Sequence, residues 1–363
     1  MRSVLDVPIP QRFIQICMMS DEAVNDADLA ALRDFHNRYG KEELYAFAKK
    51  KKVLPYAAHR LMHAGCEIAF WTDIHNEYLV RNQKVVDLLE RVFVAFAEAG
   101  INKVCVSENF ATVLSSGACL GCFSSGDVDF YCDDVDVDAL HAVMESMGFV
   151  WSDRHKRKKS FAREYVSKDA IGEEFWLNFQ WKPMTRKKTH LYDQRYILKR
   201  YHTLFDFVEC YPGTHIKYFS PEAALYLNCV HIASGHYYIL APGMRLYADV
   251  DRLVRQRKLD WNLVKTWVEK DWLGLRYDMV LRLCLAFLKS PLGEEIFTAE
   301  IKGKRFWKLY HFLIDSNTED FRLPAKGIVP YLFFLTKVEL MSDGTDVVRA
   351  LLKRFWVLIA DWN

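Results

Sequence analysis

The sequence predicts an α+β protein in which a small α/β core is set between two helical regions. Three observations carry this reading. Residues 28–98 hold apolar positions at helical spacing. Between 101 and 182, short β-branched and aromatic runs alternate with short helical patterns. From Ser220 onward the helical spacing returns. Of the 363 residues, 51% are hydrophobic and 14% aromatic, ample for a packed core, which excludes a disordered chain. The expected divisions are an N-terminal helical region over 1–98, an α/β core over 99–218 and a C-terminal helical domain over 219–363.

In the first region, "DLAALRDFHNRYG" places Leu29, Leu32 and Phe35 on one helix face, with Gly40 able to stop it. "EELYAFAKKKKVLPYAAHRLMHAG" continues to Gly65. Its run Lys49–Lys52 reads as a solvated helix end, with nucleic-acid contact as the alternative. "NEYLVRNQKVVDLLERVFVAFAEAG" is a long amphipathic helix closed by Gly100. The pattern then changes. "NKVCVS" reads as a strand, "ENFATVLSS" as a short helix and "GDVDFYC" as the next strand. "DVDALHAVMESMG" is a helix with Val137, Leu140, Val143 and Met144 on one side. "FVWSD", "SFAREYVS" and "EEFWLNFQW" are extended, the last two joined by the turn "KDAIG". The C-terminal region opens on "SPEAALYLNCVHIASGH", with Ser220 at the cap and Pro221 at the first helical position. Further helical stretches follow through "DVVRALLKRFWVLIADW".

Net charge is +2, which selects no class of partner. Nine cysteines include a single CxxC, Cys119 to Cys122. No neighbouring His or Cys pair in the sequence completes a zinc site, so these cysteines read as small buried thiols in a reducing cytoplasm. "MRSVLDVPIPQRF" lacks the apolar core of a signal peptide. The longest apolar runs, such as "IVPYLFFL" at 328–335, fall short of the roughly 20 residues that span a bilayer. The expectation is a cytoplasmic protein without a membrane partner.

The stretch that carries chemistry is "SSGDVDFYCDD", residues 124–134. Residues two apart on a strand share a face, so Asp127 and Asp129 point one way while Val128 and Phe130 point into a core. Two like charges that close repel unless a hard divalent cation stands between them. Mg²⁺ is held by one or two carboxylates together with substrate phosphates. Ser125 and Gly126 are small and let backbone approach a phosphate. Upstream, Ser107 ends a strand where the helix beginning Glu108-Asn109 offers N–H groups to phosphate oxygens. Asp133, Asp134, Asp136 and Asp138 sit where a loop enters a helix and complement its dipole. Between Val104 and Asp153 there is no Lys or Arg. The runs after it supply Arg154, Lys156, Arg157, Lys158 and Lys159, then Lys182, Arg186, Lys187 and Lys188. An acidic metal pole beside a basic one suits a metal–triphosphate, and nucleic-acid phosphates are the other partner such runs take.

With these residues in place the chain resembles the nucleotidyltransferases of the DNA polymerase beta superfamily, and within them an uncharacterised bacterial nucleotidyltransferase family. "FAKKKKVLPYAAHRLMHAG" is similar to its N-terminal helix pair. "AGINKVCVSENFATVLSSG" and "SSGDVDFYCDDVDVDALHAVMESMGF" are similar to its core. "FSPEAALYLNCVHIASGHYYILAPGMRLYADVDRLVRQRKLDWNLV" is similar to its C-terminal signature. The resemblance implies a small mixed β-sheet as the nucleotidyltransferase core. It also implies Mg²⁺ or Mn²⁺ held by two carboxylates on one strand and a third on a neighbour, with a nucleoside triphosphate as substrate.

Asp127 and Asp129 match the first two positions. The third falls on Asn178, with Trp176 and Gln180 on the same strand face; an amide coordinates weakly and cannot act as a base. Where the family offers Lys-Gly after the first strand, Glu108-Asn109 stand. Where it tends to carry an arginine before the paired aspartates, Phe123 and Ser124 stand. Glu173 or Glu174 could compensate at the start of the strand. From the C-terminal signature, His231 and Asp249 could face the site or could pin two helices together.

The resemblance therefore implies transfer of a nucleoside monophosphate from a nucleoside triphosphate to an acceptor hydroxyl. Asp127, Asp129 and Asn178 would form the metal side, with Ser107, Glu108, Asn109, Ser125, Gly126, Arg154 and Lys156 around the nucleotide. The acceptor is open among small molecule, RNA and protein. The alternative is a catalytically inactive member binding nucleotide, RNA or a protein partner. A glycosyltransferase, which also uses DxD, fits less well because about 70 helical residues precede the motif where a nucleotide-binding α/β half belongs.

Overall fold

The computed structural model describes residues 11–133, 135–152, 162–181, 199–235, 238, 245–256, 258–271, 273–298 and 304–318. Its centre is one seven-stranded mixed sheet. The strands are β1 (Val104–Ser107), β2 (Asp127–Cys132), β3 (Val150–Trp151), β4 (Ala162–Ser167), β5 (Phe175–Gln180), β6 (Val208–Cys210) and β7 (Lys217–Phe219), in the order β3-β4-β5-β2-β1-β7-β6. The first five lie where the alternation of the sequence puts them. β6 and β7 are three residues each, too short for alternation to register, and they extend the sheet beyond β1.

β2 is the middle strand, antiparallel to β1 and parallel to β5. Val128, Phe130 and Cys132 are buried on one face. They meet Phe179, stacked on Phe130 at 4.5 Å, and the helix that covers that face. Asp127, Asp129 and Tyr131 take the other face, where Tyr131 packs with Tyr201 and Phe219. The period of two thus divides β2 into an apolar side and a side that is acidic at its start and aromatic at its end. Tyr201 donates its hydroxyl to the Cys132 and Gln180 carbonyls at 2.9 and 3.0 Å, which ties the far ends of β2 and β5.

The flanking regions are helical, as expected. Before the sheet come α1 (Gln11–Met18), α2 (Asp26–Lys50), α3 (Leu54–His63) and α4 (Ile68–Glu98). Gly40 interrupts the helix as expected: it takes φ 75° and ψ 165°, a non-helical backbone, so α2 is two helical segments joined at a kink, the second running to Lys50. α4 has 31 residues, about 46 Å long. Its C-terminal half, Val85 to Phe96, covers the apolar face of the sheet, while Trp71 and Ile74 join a second core among the helices. Within the sheet region lie α5 (Glu108–Ser116) and α6 (Val137–Ser146). Asp136 caps α6 as its position suggests, accepting from the Asp138 and Ala139 N–H groups. Asp133 behaves otherwise: it is buried and paired with His202 and Lys103.

After the sheet come α7 (Pro221–Val230), α8 (Arg245–Gln256), α9 (Trp261–Lys270), α10 (Gly274–Leu288) and α11 (Lys304–Thr318). Ser220 caps α7 with Pro221 in its first turn. Residues on α1–α3 and on α7–α11 share one apolar core, crossed by the Gln15 side-chain amide donating to the Phe287 carbonyl at 2.6 Å. Among the described residues no helix is long and apolar enough to cross a membrane. Cys17, Cys66, Cys105, Cys132, Cys229 and Cys284 are buried thiols as expected. Cys119 and Cys210 are exposed and Cys122 half-buried, against that expectation.

Asp249 on α8 does not face the sheet. It pairs with Arg252 at 3.0 Å, and Arg252 also donates to the Tyr56 hydroxyl of α3 at 3.2 Å and lies over its ring. Burial pushes the Asp249 carboxyl up to about 6, against the pull of Arg252 and Arg245. The pair pins α8 to α3. Replacing Arg252 by Met leaves Asp249 buried and unpaired, and chemical denaturation is expected to register a loss of about 3–5 kcal/mol.

Candidate active site

The acidic start of β2 lies on the open part of the sheet face. Register places Asp127 opposite Trp176 and Asp129 opposite Asn178 on β5, and Ser107 opposite Asp129 on β1. Asn178 therefore stands where the third carboxylate was sought. Its Nδ2 donates to Asp127 Oδ2 at 3.1 Å and to Asp129 Oδ1 at 3.3 Å. Gln180 Nε2 reaches Asp129 Oδ1 at 3.4 Å, and the Ser125 hydroxyl donates to Asp127 Oδ1 at 2.5 Å. Asn178 Oδ1 is buried with no hydrogen-bond partner among the described residues. Rotating the amide half a turn would aim that oxygen between the two carboxylates.

Neither glutamate at the head of β5 takes part: Glu173 pairs with Arg81 and Glu174 accepts from the Trp176 indole. The extra acid comes from another direction. Glu108, the first residue of α5, lies close enough to Asp129 for its charge to raise that carboxyl's pKa. Asp129 is held well above the usual carboxylate range by burial first, then by Glu108 and by Asp127; the Asn178 and Gln180 amides oppose them. Glu108 Oε1 lies 3.3 Å from His231 Nδ1 and 3.5 Å from the Tyr131 hydroxyl. His231 follows α7 directly, in a π-helical turn over His231–Gly235. The tertiary fold thus brings His231 to Glu108, beside Tyr131 on the face that carries Asp127 and Asp129, and leaves Asp249 elsewhere.

Glu108 has φ 57°, a left-handed backbone that suits glycine and costs another residue about 1 kcal/mol. The position in this chain where a glycine would be at ease is therefore Glu108 and not Asn109. Ser107, just before it, is buried, and its hydroxyl has no partner among the described residues.

The loop that delivers Asp127 is pinned from outside the sheet. Asn82 on α4 donates to the Leu120 and Phe123 carbonyls at 2.6 and 2.9 Å. Arg245 on α8 donates to the Ser124 carbonyl at 2.8 Å, and its Nε is buried without a hydrogen-bond partner. The Gly126 carbonyl accepts from the Trp176 N–H at 3.2 Å, while the space a side chain would fill at Gly126 is open. A cation therefore reaches the ground where the sequence shows only Phe123 and Ser124. Arg154 and Lys156, with both basic runs, lie outside the described residues.

The donors on this face are oxygen-rich: the Asp127 and Asp129 carboxylates and one amide oxygen awaiting a partner, with Glu108 nearby. That composition fits a hard divalent cation such as Mg²⁺ or Mn²⁺. A family model described as an uncharacterised nucleotidyltransferase matches residues 39–289. No curated protein sequence and no solved structure matches the chain.

Proposed function

The chain belongs to this family of uncharacterised nucleotidyltransferases, and from that premise we propose a metal-dependent enzyme that moves a nucleoside monophosphate from a nucleoside triphosphate to an acceptor hydroxyl. The observation that carries this reading is the pairing of Asp127 and Asp129 on one face of β2, bridged by Asn178, with Glu108 at the end of the neighbouring strand beside Tyr131 of that face. A glutamate there repels phosphate and attracts a cation. We therefore assign it the work of the third carboxylate, from α5 instead of β5. A cation held by Asp127, Asp129 and Glu108 would neutralise charge on the phosphoryl oxygens and acidify a bound hydroxyl.

The protein's own groups do the rest. Ser125 holds the Asp127 carboxylate in place. Arg245, anchored on the Ser124 carbonyl, has the unpartnered Nε to meet a phosphate oxygen beside the open backbone of Gly126. His231 faces Glu108 and can hold or pass a proton there.

The second reading is a member that binds nucleotide without turning it over. It is favoured by Asn178, whose amide already bridges the two aspartates. One experiment separates the readings. Thermal shift with each of the four nucleoside triphosphates, with and without Mg²⁺, is run beside an assay for released pyrophosphate. The active enzyme gives Mg²⁺-dependent stabilisation and pyrophosphate. Stabilisation alone supports the inactive reading. Metal-independent behaviour in both assays rejects the active reading.

A further inference from the structure

The CxxC that the candidate active site leaves unused lies against two histidines, His59 and His75, that are 44 to 63 residues away in the chain. Cys119 Sγ is 3.4 Å from His75 Nε2 on α4, and the Cys119 and Cys122 thiols hydrogen-bond to each other. One ligand atom each from His59, His75 and Cys122 all lie within 4.8 Å of one another. His59 on α3 touches His75 at a ring-centroid distance of 5.4 Å and His63 at 4.2 Å.

We propose that Cys119, Cys122, His75 and His59 form a structural zinc site that ties α3 and α4 to the loop entering β2. Two thiolates and two imidazoles are a donor set for Zn²⁺, which takes four ligands at about 2.0–2.3 Å in a tetrahedron. Donor atoms already gathered this closely need only small side-chain rotations to close on one ion. Both imidazoles have a buried nitrogen to spare: Nδ1 of His59 and Nδ1 of His75 have no hydrogen-bond partner among the described residues. His59 Nε2 lies 3.2 Å from Asp21 Oδ1, a carboxylate placed to orient the ring while Nδ1 turns to the metal. Gly121, between the cysteines, lies directly under the His75 ring: an added Cβ would come within 2.4 Å of it. Cys119 is exposed and gives an ion a path in from solvent.

The site bears on chemistry without touching it. Cys122 ends the 3₁₀ turn Leu120–Cys122, and five residues later the chain reaches Asp127. Zinc would act with Asn82 and Arg245 to fix the course of that loop.

The test is metal analysis of the full-length protein, purified without chelator and without a histidine tag. About one zinc per chain is expected. Replacement by Co²⁺ should give thiolate-to-metal charge-transfer bands. Both signals should vanish in the Cys119→Ser/Cys122→Ser double variant and stay unchanged in Cys210→Ser. Gly121→Ala, which alters no ligand, should weaken retention against a competing chelator by roughly 10-fold or more, as displaced supporting contacts do at metal sites. If the double variant does not fold, the cobalt spectra of the wild type and of His75→Gln decide the matter. No zinc and no thiolate bands in the wild type would overturn the proposal. So would zinc unchanged in both the double variant and His75→Gln, or a Cys119–Cys122 disulfide in protein kept under reducing conditions.

Discussion

Replacing Asp129 by Asn is expected to abolish Mg²⁺-dependent nucleotide binding and at the same time to make the protein more stable. The two effects have one cause. Asp129 is half-buried on the face it shares with Asp127, and desolvation with the charges of Glu108 and Asp127 raises its carboxyl well above the ordinary range. In the unfolded chain it titrates near pH 4. Above that pH the unfolded state has released a proton that the native state still holds. The stabilising contribution is therefore complete below about pH 4 and is lost as pH rises through the folded value. Without added Mg²⁺, the wild-type melting temperature should fall with rising pH across that window. Asp129→Asn should flatten the slope and raise the neutral-pH melting temperature by roughly 1 °C for each kcal/mol relieved. Nucleotide affinity in Mg²⁺ should drop by about 100-fold or more, the scale of losing a cation's charge stabilisation. A variant that lost stability and kept Mg²⁺-dependent binding would contradict both the crowding and the metal role.

Glu108→Gln should reduce pyrophosphate release by about 100-fold, and Asn178→Asp placed in the same chain should restore much of it. This pair tests whether the third acid has moved from β5 to α5. With Glu108 removed, only Asp127 and Asp129 remain to hold the cation. Adding Asp at 178 rebuilds a trio on the sheet itself, within hydrogen-bond reach of both aspartates. Asn178→Asp alone gathers four carboxylates and should lower the melting temperature without added metal. The readouts are steady-state pyrophosphate release and melting with and without Mg²⁺. Failure of rescue in a folded double variant would mean that Glu108 acts through its contact with His231.

The sequence made the strong local periods legible. The alternation in "GDVDFYC" placed the aspartates on one face, and the helical regions on either side of the sheet were readable from apolar spacing. Asn178 is picked out by the resemblance as the third-carboxylate position, and the register sets it opposite Asp129. What was hidden came from contacts far apart in the chain. Arg245 follows Ser124 by 121 residues, and His231 follows Glu108 by more than 100. No local pattern marks a side chain that arrives from another helix. Glu108 is ambiguous in the sequence for a related reason. Its position at a helix start suggests phosphate binding, and only the fold brings its charge near enough to raise the Asp129 carboxyl. The histidines around Cys119 and Cys122 belong to the same class.

The left-handed backbone at Glu108 has an evolutionary consequence. A relative with a carboxylate at the position of Asn178 has no use for an acid at 108 and gains by placing glycine there. A relative with an amide at 178 must keep the acid and tolerate the twisted backbone. Positions 108 and 178 should therefore trade a single charge across the lineage, acid with amide or glycine with acid, while Asp127 and Asp129 stay fixed.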